Sequence, residues 1–141
     1  MGSKDQSQRG ASAVEFAIMA PLFIAVLFAI VEFGLILYTQ SMLTHASREG
    51  ARFGVVYCTP RRTTTEIQQV VQNFLNQCGL TSTANVAVTG AGGGSGSNLD
   101  VAINYTYQYV VLSKILNSCY LGGVSLPSTL NLASETVMRM E

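Results

Sequence analysis

Arg9-Gly10-Ala11-Ser12-Ala13-Val14-Glu15-Phe16 opens an apolar run with no charged residue from Phe16 to Val31 and one proline, Pro21. Working outward, the only charges between Ala11 and Thr44 are Glu15 and Glu32. A helix needs about 20 predominantly apolar residues to cross the hydrocarbon layer of a bilayer, and Ala13 to Leu37 meets that length. The run is longer than the core of a secretory signal and lacks a small-residue cleavage site followed by polar sequence at its far end. The two carboxylates lie seventeen positions apart, a rise of about 25 Å on a helix, which sets them near opposite faces of a membrane. A charge at mid-membrane costs about 2.5–3.5 kcal/mol on insertion scales and less at the interface. Glu32 therefore reads as an interfacial carboxylate with its head in water. Glu15 stands five residues past Gly10, where cleavage would leave a new amine able to neutralise it.

The whole chain of 141 residues carries eight basic and eight acidic side chains, for a formal net charge of zero. That balance points away from nucleic acid as a partner. One histidine, no tryptophan and three cysteines make a thin inventory for catalysis. The cysteines show no metal-ligand spacing, so neither a metal nor another cofactor is expected. No acid, base or nucleophile has a companion in sequence, so the chain does not read as an enzyme. Cys58, Cys78 and Cys119 all follow the apolar run. One disulfide is expected if that part is exported. Cys58 with Cys78 would close a loop of about twenty residues, for about 3 kcal/mol; pairing of either with Cys119 stays open.

Past the membrane segment, only Gly34 and Gly50 interrupt the helical pattern, which predicts one helix from about Ala13 to Arg52. Ala46, Gly50 and Gly54 form a small-residue row at four-residue spacing, which admits close approach of another backbone. Packing against this chain's own later strands is the simpler expectation, and a helix of another subunit the alternative. His45, Arg48, Glu49 and Arg52 crowd an exposed flank, with Glu49 and Arg52 a possible surface pair. Pro60 breaks the helix, and Arg61-Arg62 reads as a solvated turn. A second helix starts at Thr65-Glu66-Ile67 and runs to about Gln77, with Ile67, Val70, Val71, Phe74 and Leu75 on one face.

Val86 to Thr89 is a short strand, and Gly90 to Asn98 a flexible hairpin loop. Because no lysine follows those glycines and a strand comes next, the loop is not a phosphate cradle. Leu99 to Tyr109 alternates with period two, the clearest strand in the chain. Its tyrosines, Tyr105, Tyr107 and Tyr109, read as a core stripe; an adhesive face is the alternative. Val110 to Pro127 is an irregular apolar connection, over the core, the bilayer surface or a neighbouring subunit. Leu130, Leu132 and Met138 then mark a last strand, with Asn131, Glu135 and Arg139 on its other face. The expected fold class is α+β: a long N-terminal membrane-spanning helix continuing into a small domain with a second helix and a three-stranded antiparallel sheet.

Gly10 followed by Ala11-Ser12-Ala13-Val14-Glu15-Phe16 resembles the prepilin cleavage sites of tight-adherence (Tad/Flp) pilus systems. With Pro21, Val31-Glu32-Phe33-Gly34, Ala46-Ser47-Arg48-Glu49-Gly50-Ala51-Arg52 and the terminal stretch Leu130 to Glu141, the set resembles the TadE-like pseudopilin, or minor pilin, family. The resemblance implies a leader over 1–10, a transmembrane helix over 11–43 and an extracytoplasmic pilin-like domain over 44–141. It implies processing by a prepilin peptidase at the Gly10–Ala11 bond, and helix pairing in assembly through Glu15 and Phe16. The implied partners are that peptidase, other Tad pilins and pseudopilins, the assembly machinery and the membrane. The implied place is a bacterial inner membrane, single-pass with the N-terminus cytoplasmic, with incorporation into the pilus as the further option; the roles are secretion, pilus assembly, adhesion and biofilm formation. The alternative is an uncleaved, membrane-anchored extracytoplasmic binding domain in which Gly10 is an ordinary loop glycine.

Overall fold

The computed structural model describes residues 3–80, 84–110 and 128–141, with side chains described from Gly10 onward. The fold is α+β. Helix α1 runs Ser3–Val55 and α2 Thr64–Gln77, and three strands follow, β1 (Ala84–Thr89), β2 (Asn98–Gln108) and β3 (Thr129–Arg139). The strands form one antiparallel sheet in the order β1-β2-β3. Two compact units emerge: residues 1–34 with 109–127, and residues 35–108 with 128–141.

In the second unit, the carboxy-terminal part of α1 supplies Leu43, Ala46, Ser47, Gly50, Ala51 and Gly54 as a buried face. The small-residue row packs within the chain. A Cβ at Gly50 would run into Val71 Cγ2, and one at Gly54 into Leu99 Cδ2 and Ile67 Cδ1. Glycine lets α2 and β2 come to the helix backbone, where Ile67, Val71, Leu75, Leu99, Val101 and Ile103 are all fully buried. Burial of such side chains at about 25 cal/mol per Å² of apolar surface is the main force holding this unit together. Toward β3 the contact is polar. Ser47 Oγ lies 2.8 Å from Thr136 Oγ1 and 3.1 Å from Ser134 Oγ, and donates to Thr44 O at 3.0 Å. Ser47 is fully buried, so these partners satisfy a hydroxyl that water cannot reach.

Helix α2 begins one residue before its expected start because Thr63 caps it. Thr63 Oγ1 accepts from Glu66 N while Glu66 Oε2 accepts from Thr63 N at 2.8 Å, a reciprocal capping box. The Thr63 backbone N–H, the Thr63 hydroxyl and Arg62 hold the Glu66 carboxyl below its usual range. The ion pair seen is Arg62–Glu66 at 3.9 Å, not Glu49–Arg52. Arg61 and Arg62 depart from a merely solvated turn: their guanidinium groups stack over the Tyr57 and Phe53 rings at 4.8 and 4.5 Å, a favourable cation–π geometry.

Both outer strands of the sheet have a main-chain oxygen taken by a glutamine. Gln68 Nε2 donates to Val86 O at 3.0 Å on β1, and Gln40 Nε2 to Ala133 O at 2.8 Å on β3. The glycine loop joins β1 to β2 as a hairpin, as its composition suggests, but it is tied down. Gly96 N donates to Met140 O at 2.9 Å and Met140 N to Ser97 O at 2.8 Å, prolonging the β3 ladder past Arg139. Gly90 has φ +82°, and a Cβ there would strike Asn98 O, so this turn requires glycine. The chain's last residues return to the end of α1: Glu141 N donates to Val55 O at 3.3 Å and Arg61 Nη2 to Glu141 O at 2.6 Å.

Tyr107 lies in the core at 6% exposed, while Tyr105 and Tyr109 are half-buried. The tyrosine stripe is a core face at Tyr107 with a half-open rim at Tyr105 and Tyr109. Most of the connection expected over Val110 to Pro127, and Cys119 with it, lies outside the described residues.

Candidate functional site

The site is the amino-terminal part of α1. The described residues from Gly10 to Val31 are exposed, apart from half-buried Ala20 and Ala25. At 1.5 Å per residue this stretch rises about 32 Å, enough to cross a hydrocarbon layer of about 30 Å. Long apolar side chains with no cover from the protein are unfavourable in water and at home in lipid. The helix therefore fits a single-pass membrane anchor.

Gly10 belongs to the continuous helix and not to a loop, because nothing in Arg9 to Ala13 breaks the helical pattern. Nothing lies within 4 Å of the position its Cβ would take. One turn on, Glu15 is exposed between Val14 and Phe16, the latter 73% exposed. Positions 15, 19, 22 and 26 follow one another along a helix face, and Phe16, Ala20 and Phe23 lie beside them. Phe16, Met19, Ala20, Leu22, Phe23 and Val26 line an apolar groove. Glu15 stands at the amino end of that groove, with no hydrogen bond or ion pair to another described residue.

Glu32 does not match its expected place with its head in water. It is 2% exposed, against 54% for Val31 and 61% for Phe33 on either side. Its Oε1 accepts the Val110 backbone N–H at 2.9 Å. Hydropathy along the helix marks the charge as anomalous, but this partner is a main-chain group and leaves no mark in residue type. A carboxylate inside an apolar run was the available signal, since such a group demands a partner.

The Cys58–Cys78 bridge is a correction. Both thiols are free, and Cys78 Sγ packs 3.8 Å from Met42 Sδ. Cys58 follows the end of α1 at Val55, more than three helical turns beyond Met42, about 20 Å along the axis. A disulfide needs Cα atoms within about 7 Å. Among the described residues, no three His, Cys, Asp or Glu side chains gather to hold a metal. His45 is exposed on α1.

No curated protein and no solved structure is similar enough to the chain to match it. Residues 10–52, the stretch of α1 that carries Gly10, Glu15, Glu32 and most of the packed small-residue row, match the family model described as TadE-like protein, so the N-terminal helix of this chain is similar to that of TadE-like proteins.

Proposed function

We propose that this chain is a minor pilin or pseudopilin of a tight-adherence pilus, cut after Gly10 by a prepilin peptidase and taking part in pilus assembly, adhesion and biofilm formation. In this reading residues 1–10 are the leader, 11–43 the membrane helix and 44–141 the extracytoplasmic domain. The protein sits in the inner membrane with its N-terminus in the cytoplasm, and its contribution is structural rather than catalytic. The similarity of residues 10–52 to TadE-like proteins supports the pilus association.

The observation that carries the assembly step is Glu15: an exposed carboxylate at the head of an apolar groove, with no partner among the described residues. In lipid such a group requires a cation from elsewhere. Cleavage supplies one, the Ala11 amine of the same or a neighbouring subunit. When helices bundle, that pairing favours the register in which both charges are matched, while Phe16 packs alongside.

The test has two arms. The mass of membrane-extracted protein is expected to show loss of residues 1–10, and an intact N-terminus would favour an uncleaved anchored domain. Glu15→Ala is expected to be cleaved normally yet to lower surface pili by about tenfold or more, as removal of one partner of a buried pair costs several kcal/mol. Normal piliation in that variant would sink the assembly role.

A further inference from the structure

Between Gly10 and Tyr38 the described side chains are exposed or half-buried with one exception, and the exception is the charged residue Glu32. Apolar neighbours on both sides are left open, while protein covers the carboxylate. Chance packing on a helix dominated by leucine, isoleucine, valine and phenylalanine would cover one of those side chains. One donor to the carboxylate comes from the residues directly after β2. Val110 lies past the end of the β2–β3 ladder, so its N–H has no strand partner there. A carboxylate in an apolar helix needs a donor. The 2.9 Å bond from Val110 N to Glu32 Oε1 pairs the carboxylate with that donor.

We propose that Glu32 is a positioning residue: its carboxylate holds the Val110 N–H and so fixes the start of the β2–β3 connection on the membrane helix. It is not a charge presented to lipid or to a neighbouring subunit. Of the two carboxylates in the apolar helix, Glu32 is committed inside the chain and Glu15 is left to the outside. The proposal stands on this intramolecular bond and does not depend on cleavage at Gly10 or on assembly.

The experiment uses the full chain in lipid bilayers or micelles and follows hydrogen exchange at the Val110 amide. Glu32→Leu, which suits lipid but removes the acceptor, is expected to speed that exchange by about tenfold or more. Glu32→Gln keeps a carbonyl acceptor and is expected to stay within about threefold of the parent chain. Unchanged exchange in Glu32→Leu, or equally fast exchange in both variants, overturns the proposal. Amides of Val101 and Ile103 in β2 report whether a variant still folds. A measurement on the unmodified chain guards against a variant that does not: dicyclohexylcarbodiimide, a lipid-soluble carboxyl reagent, is expected to label Glu15 at least about tenfold faster than Glu32. Equal labelling of the two overturns the proposal as well.

Discussion

At the scale of single residues, two glycines on the same helix separate packing from propensity. Gly50 is buried with Val71 Cγ2 where its Cβ would go, whereas nothing lies within 4 Å of that position at Gly34. Val71 is β-branched and stiff about χ1, and its side chain is fully buried, so it has little room to turn away. Gly50→Ala gains about 1 kcal/mol of helix propensity and loses about 1–3 kcal/mol to overpacking. The net expectation is a loss of about 1 kcal/mol, read as a lowered thermal midpoint of the detergent-solubilised chain. Gly34→Ala meets no neighbour and is expected to leave that midpoint unchanged or raise it. Destabilisation by both would mean that backbone conformation, not the approach of α2, is what glycine serves at position 50.

At the scale of elements, α2 shows how local chemistry sets a boundary. Thr63→Ala removes the side-chain acceptor of the capping box and is expected to cost about 1 kcal/mol. Because the Thr63 backbone N–H, the Thr63 hydroxyl and Arg62 lower the folded-state pKa of Glu66, its contribution is full above the unfolded value near 4.5. It is lost as pH falls from there through the depressed folded value. Acid titration of helix content should thus find a smaller drop across this window in Glu66→Gln than in the parent chain; equal drops would remove Glu66 from the account. The same helix shows what was legible beforehand. Ile67, Val71 and Leu75 announce their buried face by spacing, and Leu99, Val101 and Ile103 announce β2 by alternation. The long helix and the hairpin were equally open to reading. What escaped was set by main-chain groups and distance. Val110 N on Glu32 depends on where β2 happens to end. The reach from Cys58 to Cys78 depends on how far apart α1 carries them. The ordered glycine loop depends on Met140, more than forty positions away.

At the scale of the whole molecule, α1 serves two different solvents. Apart from Glu32, every buried residue of the described chain falls at or after Thr39, and the apolar side chains before that point are open to their surroundings. The unit formed by residues 35–108 and 128–141 closes on itself: Leu43 and Ala46 pack in its core, Gln40 reaches Ala133 O, and Glu141 N reaches Val55 O. Its buried set holds apolar residues from both helices and all three strands, with Met140 just beyond β3, the makings of an independent core. A fragment from Thr39 to Glu141 is therefore expected to fold in water without detergent. Circular dichroism should show both helix and strand, and heating should give one cooperative transition. The complete chain, with Gly10 to Val31 exposed, is expected to need lipid or detergent to stay dispersed. A fragment that gives no cooperative transition would show that the membrane half of α1, or its hold on Val110, is required for the domain to form. Adding the Glu32→Leu substitution to the full chain separates those two causes. If the hold on Val110 is what the domain requires, that variant loses the transition as the fragment does. If it keeps the transition, the missing length of helix is responsible.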